Sequence, residues 1–383
     1  MSDIVTPSYV FDTDIFRNRI RDISRALPGI PLTYSVKANP FLVPYIPDEI
    51  RHLEVCSPGE LSLCMKLGVA PDRIIYSGVM KEAWDIKEAL SYGVDMITAE
   101  SLSHYELIKE AADLTSRKAE LLLRLSSGNQ FGMSYNDLNR VLSDVSEQKT
   151  VHVKGLHYYS GTAKGLAQVE KDIARIDEVL KRLKDDLGFE CDLIEYGPGL
   201  NSECFASTEE ECEDKDRELL MSVAPLLFDL DKRYSLGIEM GRFMATSCGI
   251  YETSIMDIKD TDGVSYIITD GGVHQVKYYG QNMAMRVPVI DHDGEGDEKA
   301  YTVCGSLCTV ADVLVRSVNL RGAKTGDRLS FRRTGAYSVT EAPVLFLSRT
   351  MPAVYIRSAQ DDIRMIRSGQ EAYLVNLPDE VQN

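Results

Sequence analysis

The chain has 383 residues, 44% hydrophobic and 26% charged, with 42 Lys+Arg against 59 Asp+Glu and a formal net charge of −17. The composition is globular, the length suffices for one large domain or two medium ones, and no apolar run reaches the roughly 20 residues of a membrane helix. Such acidity excludes a protein that works by gripping nucleic-acid or lipid phosphates, which takes a basic surface.

The first strand-like segment is 8–11. Eight short apolar runs follow: 32–37 (LTYSVK), 53–57 (LEVCS), 74–78 (IIYSG), 96–100 (MITAE), 121–126 (LLLRLS), 155–160 (GLHYYS), 193–197 (LIEYG) and 236–241 (LGIEMG). Stretches with helical spacing lie between them, among them 59–67, 81–91 and 167–187. Strands alternating with amphipathic helices predict a parallel sheet, and eight such units predict a closed (β/α)8 TIM barrel. An open doubly wound sheet is the alternative, and its GxGxxG fingerprint after the first strand is missing. Beyond residue 245 the rhythm changes. Segments 248–258, 264–270, 299–304, 328–332 and 353–357 are strand-like, with polar turns and no long helix between them. The chain therefore divides into a barrel over 12–245 and a C-terminal all-β domain over 246–383, which the N-terminal strand in 1–11 joins. Two acidic stretches, 208–218 and 291–299, are expected as solvated loops.

The N-terminus has neither the basic nor the apolar part of a secretory signal. The eight cysteines are scattered, which predicts free thiols in a reducing cytoplasm. Cys304 and Cys308 lack a second ligand pair, so no metal site is expected.

In a barrel of this kind chemistry sits at the C-terminal ends of the strands. Polar residues collect there: Lys37, Glu54, Ser57, Ser77, Glu100, Arg124, His157, 197–199, Glu239 and Arg242. Lys37, flanked by apolar strand residues, is placed for a buried amine of lowered pKa, suited to a Schiff base with an aldehyde cofactor. Gly197-Pro198-Gly199 follows the seventh strand, where small residues let backbone N–H groups approach a phosphate, and Arg242 could hold the same anion. Glu239 suits a protonated heterocyclic nitrogen. His157 suits stacking on a cofactor ring, with Ser160 a further phosphate contact. Arg124 stands inside an apolar strand and needs a buried partner. Read alone, each also fits a structural role: a solvated lysine, a tight turn, a Glu–Arg surface pair, a core histidine. Asp270-Gly271-Gly272, 304–308 and 335–337 read equally as β-turns.

The ordered set YSVKAN, EVCSPGEL, HYYSGT, GPG, EMGR, DGG, CGSLCTVAD and GAYS resembles the fold-type III pyridoxal-phosphate decarboxylases, among them the diaminopimelate, ornithine and lysine decarboxylases. The resemblance implies an alanine-racemase-like barrel with a C-terminal β domain and pyridoxal 5'-phosphate as cofactor. It implies that Lys37 carries the cofactor as an internal aldimine, with Glu54 and Arg124 beside it and His157 stacked on its ring. Ser160, Gly197, Gly199, Gly241, Arg242 and Tyr337 would bind the cofactor, chiefly its phosphate, and Glu239 would meet the pyridine nitrogen. Cys308, from the partner subunit of a homodimer with shared sites, would help protonate the product carbon. Asp270, Thr309 and Tyr337 would face the substrate. The implied reaction is α-decarboxylation through a Schiff base and a quinonoid, releasing CO2 and an amine. A carboxylate at the ring nitrogen strengthens the electron sink and favours this over racemisation.

Two departures bear on substrate and cofactor. The residue after the catalytic cysteine is usually acidic in diamine and diaminopimelate enzymes, where it grips a distal cation; here it is Thr309. A hydroxyl forgoes a charge-assisted hydrogen bond worth about 1.5–3 kcal/mol. The phosphate motif is GPG where many relatives have GGG, and Pro198 removes a backbone donor. QFGMS, DGGVH, GSLCT and TGAYS resemble the subgroup that includes the carrier-protein-tethered glutamate decarboxylase of butirosin biosynthesis, although Gln275 and Ser306 depart from it. The substrate is thus an amino acid or an amino-acyl derivative, free or carrier-tethered. The alternatives are a diaminopimelate, lysine or ornithine enzyme with an atypical residue at 309, a racemase, or a non-catalytic pyridoxal-phosphate-binding regulator.

Overall fold

Strands buried on both faces read as continuous apolar runs, because helices cover them outside and side chains fill the space inside. That pattern governs the first part of this chain. The computed structural model describes residues 4–145, 148–359 and 362–379. Two compact units are present: one of residues 19–201 and 217–244, the other of the N-terminal residues through Asn18, 202–216 and the chain from Ala245 onward.

After β1 (Ser8–Asp12), the barrel strands are β2 (Leu32–Ser35), β3 (Ile50–Val55), β4 (Ile74–Tyr76), β5 (Met96–Ala99), β6 (Ala119–Arg124), β7 (Val151–Tyr159), β8 (Leu193–Gly197) and β9 (Leu236–Met240). Each runs parallel to its neighbours, and β9 pairs back onto β2 to close the barrel. All eight expected runs form these strands. The helices are α1 (Thr13–Ala26), α2 (Pro58–Lys66), α3 (Ala83–Tyr92), α4 (Leu102–Thr115), α5 (Tyr135–Val145), α6 (Leu166–Leu187) and α7 (Glu209–Arg233). In α6 the buried Val169, Ile173, Ile176, Leu180 and Leu183 recur every three or four residues, one apolar stripe. Ser57 caps α2 and Ser101 caps α4, each side chain accepting an N–H of the first turn. One glycine is required inside the sheet: a β-carbon on Gly155 would lie 1.7 Å from the Leu193 carbonyl oxygen, where β7 and β8 pair.

Register sets the site. Ser35 lies opposite Glu54, Thr33 opposite Glu239, Arg124 opposite His157, and His157 opposite Glu195. Polar side chains from strands far apart in sequence therefore share one level of the barrel.

The second unit holds β10 (Gly249–Thr261), β11 (Val264–Thr269), β12 (Ile290–Asp291), β13 (Glu298–Cys304), β14 (Val313–Arg321), β15 (Arg328–Arg332), β16 (Ala353–Arg357) and β17 (Ile363–Arg367). Its sheet runs β14-β13-β11-β10-β1-β16-β17, with β15 pairing β10 and β12. β1 lies antiparallel to β10 and parallel to β16. The rings of Tyr9, Phe11, Tyr251 and Phe331 pack beneath it, with Tyr9 and Tyr251 centroids 5.2 Å apart. β12, β14 and β17 were not among the expected strands.

One expectation is overturned here. The acidic stretch 208–218 is not a solvated loop: α7 begins at Glu209. Glu209, Glu213 and Asp216 fall on one helical face and converge on Arg333, whose side chain is fully buried. Asp216 is itself buried. Three carboxylates in the first turn also suit the positive end of the helix dipole. The second acidic stretch is mostly exposed and irregular, except at Asp291, which ends β12, and where β13 starts at Glu298.

Candidate active site

β2 ends at Ser35, and a single tight turn, Val36–Ala38, carries Lys37. Its neighbours in that turn are buried while its own side chain is 40% exposed. The amine donates to Glu54 Oε2 at 2.6 Å and to Cys56 Sγ at 3.2 Å. The Cys56 thiol in turn donates to Glu54 Oε1 at 2.9 Å, so one carboxylate orders both groups. Burial, and then the charge of Glu54, push the Cys56 thiol up.

Glu239, near the end of β9, accepts from Ser35 Oγ at 3.1 Å on one oxygen and from His157 Nε2 at 3.1 Å on the other. Burial alone would favour the neutral acid. The His157 hydrogen bond and the charge of Lys37 outweigh it and hold Glu239 below the usual carboxylate range. An ionised carboxylate only accepts, so His157 carries its proton on Nε2. The histidine is almost wholly buried and its Nδ1 has no protein partner. Opposite His157 on β8 lies the buried Glu195, which burial pushes up to about 8. Two barrel carboxylates are therefore driven apart, Glu239 toward the ionised form and Glu195 toward the neutral one.

On the opposite arc, Arg124 Nη1 donates to Glu100 Oε1 at 2.8 Å and its guanidinium lies 4.7 Å from the Phe131 ring centroid. Arg124 Nε and Glu100 Oε2 are buried without partners. Lys81 stands near them, donating to the Gly78 carbonyl, and burial brings it down to about 8 against the pull of Glu100.

The turns after β7 and β8 form a cradle. Gly199 has a left-handed φ of 57°, and a β-carbon there would lie 2.0 Å from the Gly161 carbonyl oxygen. A β-carbon on Gly197 would sit 2.8 Å from the Tyr159 ring. Only glycines allow this backbone, and their small size leaves room for an anion to approach it. Ser160 Oγ donates to Asp172 Oδ1 at 2.7 Å. Gly241 joins β9 to the short helix α8 (Arg242–Ala245), which puts Arg242 at the first helical position.

The barrel thus holds two hydrogen-bonded sets, Lys37–Glu54–Cys56 and Ser35–Glu239–His157, with the charge of Lys37 acting on Glu239. Arg124 pairs with Glu100, while Ser160 and the glycines form the cradle. Asp270, Cys308, Thr309 and Tyr337 belong to the other unit. There both Asp270 oxygens are taken: Oδ1 accepts from Thr253 Oγ1 and Ser254 N–H, and Oδ2 from Thr6 Oγ1. Cys308 and Thr309 lie exposed in a tight turn held by Asp312, which accepts the N–H groups of Val273 and Leu307. Tyr337, half-buried with a left-handed φ of 66°, precedes the short helix α9 (Ser338–Glu341). Sequence reasoning missed Cys56, Lys81, Lys164 and Glu195. Glu195 had a signal: a carboxylate two residues before Gly197 in an apolar strand shares its face.

The residues present fit an aldehyde cofactor with a phosphate arm. A lysine at the barrel mouth, a glycine cradle that side chains would fill, and a buried ring nitrogen without a partner are the parts it takes. Comparison with known proteins agrees. Residues 13–246 match the family described as "Pyridoxal-dependent decarboxylase, pyridoxal binding domain". The chain is 26% identical over 379 residues to the L-glutamyl-[BtrI acyl-carrier protein] decarboxylase of Niallia circulans, covering 91% of this chain and 87% of that protein. It is 26% identical over 363 residues to the diaminopimelate decarboxylase of Bacteroides thetaiotaomicron, covering 87% and 90%. A crystal structure of diaminopimelate decarboxylase from M. jannaschii in co-complex with L-lysine superimposes with a TM-score of 0.86 at 18% identity, over 99% of this chain and 93% of that one. The chain belongs to the pyridoxal-dependent decarboxylases and is a pyridoxal-phosphate-dependent carboxy-lyase acting on an amino acid or an amino-acyl derivative.

Proposed function

We propose that this decarboxylase acts on a substrate whose distal end is not a cation, with the barrel residues doing the chemistry. The observation that carries the chemistry is Glu239, kept ionised by His157 and Lys37 and bonded to Ser35. When bound, pyridoxal phosphate supplies the electron sink for the charge left at the α carbon by loss of CO2. Lys37 would hold the cofactor aldehyde through its amine. Glu239 would keep a proton on the ring nitrogen, and the Glu239–His157 hydrogen bond orients the imidazole that would stack on the ring. Glu54 steadies Lys37, while Arg124, anchored by Glu100, would keep a cation beside the cofactor. Gly197, Gly199, Gly241 and Arg242 would receive the phosphate, with Ser160 at the edge of the cradle.

The substrate class follows from the β unit. Thr309 offers a hydroxyl where basic substrates are met by an acid. Asp270 does not replace that acid, since its oxygens already accept three hydrogen bonds. A glutamyl-type substrate, free or carrier-tethered, suits this chemistry, and the similarity to the Niallia circulans decarboxylase supports it. Cys308, exposed in its turn, serves as proton donor to the barrel of a second copy, in a homodimer with shared sites. Eight cysteines, none in a disulfide, suit a reducing cytoplasm.

Borohydride reduction of the cofactor-loaded enzyme followed by peptide mass mapping should fix the cofactor on Lys37. CO2 release should fall to background in Lys37→Ala. A cofactor fixed elsewhere, or CO2 release surviving in that variant, sinks the assignment. Mixed Lys37→Ala and Cys308→Ala chains should regain activity if the sites are shared; silence, with subunit exchange verified, removes the dimer from the account.

A further inference from the structure

The turns after β7 and β8 are stitched together through one lysine. Lys164 N–H donates to the Gly199 carbonyl at 2.9 Å, and Asn201 N–H donates to the Lys164 carbonyl at 2.9 Å. This lays the side chain along Gly199: a β-carbon on that glycine would sit 2.9 Å from Lys164 Cε. The ammonium then lies 2.9 Å from Ser160 Oγ and 2.5 Å from Asp172 Oδ2. It is also 5.6 Å from the Tyr159 ring centroid and 5.8 Å from that of Tyr196, at the C-terminal edge of the strands. Lys164 is only 6% exposed.

Burying an ammonium is expensive unless it is paired, and this one is paired with a purpose legible in its neighbours. Asp172 accepts from Lys164, from Ser160 at 2.7 Å and from the Tyr196 hydroxyl at 2.9 Å. Ser160 spends its own proton on Asp172. An ammonium has three protons, and Ser160 and Asp172 take two of them. Without Lys164 the cradle would hold a carboxylate beside a dianionic phosphate, a like-charge repulsion strengthened by burial. Pro198 has already removed one backbone donor from the same turn.

We propose that Lys164 is a phosphate-binding residue of the cofactor site, neutralising Asp172 and offering its remaining N–H to the phosphate received by the Ser160 and Gly197–Gly199 turns. The inference rests on reading those two turns as the phosphate cradle. It adds a charged donor to a loop whose proline made the cradle look depleted.

The test compares two ligands on apo-enzyme prepared from the holoenzyme: pyridoxal 5'-phosphate, and pyridoxal, which has the same ring and aldehyde but no phosphate. Lys164→Met keeps the apolar stem and removes the charge. It should weaken pyridoxal-phosphate binding about tenfold or more, the usual loss for a charge-assisted bond, and leave pyridoxal within about twofold. Lys164→Arg should stay closer to wild type. Inorganic phosphate should raise the melting temperature of wild-type apo-enzyme more than that of Lys164→Met. Equal weakening of both ligands would make Lys164 a packing residue and overturn the proposal, as would unchanged pyridoxal-phosphate binding. Should Lys164→Met not fold, Lys164→Gln is read by the same ratio. Wild-type apo-enzyme that binds neither ligand would instead overturn the cofactor-cradle reading beneath it.

Discussion

The barrel mouth and the β-unit turn around Cys308 handle polar groups in opposite ways. In the barrel, Lys37, Glu54 and Cys56 are tied to one another, and His157 to Glu239, by hydrogen bonds of 2.6 to 3.2 Å. Their orientations are set before any ligand arrives, as preorganised electrostatic catalysis requires. In the β unit the acids are spent within the unit: Asp312 on the N–H groups of Val273 and Leu307, and Asp270 on the Ser254 N–H and the hydroxyls of Thr253 and Thr6. What remains outward is Cys308, Thr309 and a fully exposed Val310. The difference teaches a division of labour. In the function proposed above, the barrel fixes the reaction, and a short exposed turn, held at its base by Asp312 and uncharged at its tip, selects the substrate.

Four substitutions break or sharpen that comparison. The largest effect is on stability. Arg333→Met leaves Glu209, Glu213 and Asp216 without their buried counter-ion, and unfolding free energy should drop by about 3–5 kcal/mol. Denaturant titration measures it, and a loss below 1 kcal/mol would mean the acids relax into solvent. Next comes Glu239→Gln, which keeps the shape and removes the charge. Its kcat should fall about 10²–10³-fold with KM little changed, as for loss of one preorganised group. A KM effect alone would move Glu239 from chemistry to substrate binding. Third is Thr309→Glu, which gives the turn the missing acid. kcat/KM for lysine should rise about tenfold or more, while glutamyl-type substrates lose. No gain on lysine would detach specificity from this turn.

The smallest is Glu195→Gln, read against pH. Burial raises the folded-state pKa of Glu195 to about 8, so its contribution to stability is complete below the unfolded value near 4.5. That contribution is lost progressively as pH rises through about 8. Wild type should therefore lose stability relative to Glu195→Gln between pH 5 and 8, by roughly one to a few kcal/mol. Parallel pH–stability curves would place the Glu195 proton elsewhere. For Glu239 the sign is reversed: its lowered pKa stabilises above the unfolded carboxylate range and is lost as pH falls.

Local pattern carried the barrel. Each strand announces itself as a short apolar run, and the spacing of α6 puts its own stripe on the core. Lys37, Glu54, His157 and Glu239 were legible because strand ends converge in this fold. Pairings distant in sequence were not legible. Nothing in the run 209–218 points to Arg333 more than a hundred residues later, so helix face and buried partner both read as solvent. Lys164 and Lys81 were hidden for a related reason: each follows a turn whose geometry, not its composition, folds the lysine back. β14 and β17 alternate polar and apolar residues on a half-exposed sheet, a weaker signal than a buried run.

The central claim is that the reaction is fixed in the barrel while the uncharged turn excludes basic substrates. CO2 release by the cofactor-loaded wild-type enzyme tests it most directly, across lysine, ornithine, arginine, meso-diaminopimelate, free glutamate and a carrier-tethered glutamyl substrate. Release from a glutamyl substrate, at least about tenfold faster in kcat/KM than from any of the four basic ones, is the predicted result. Efficient release from lysine or meso-diaminopimelate would contradict the account, because a cation would then be recognised by an acid this reading has assigned to other work.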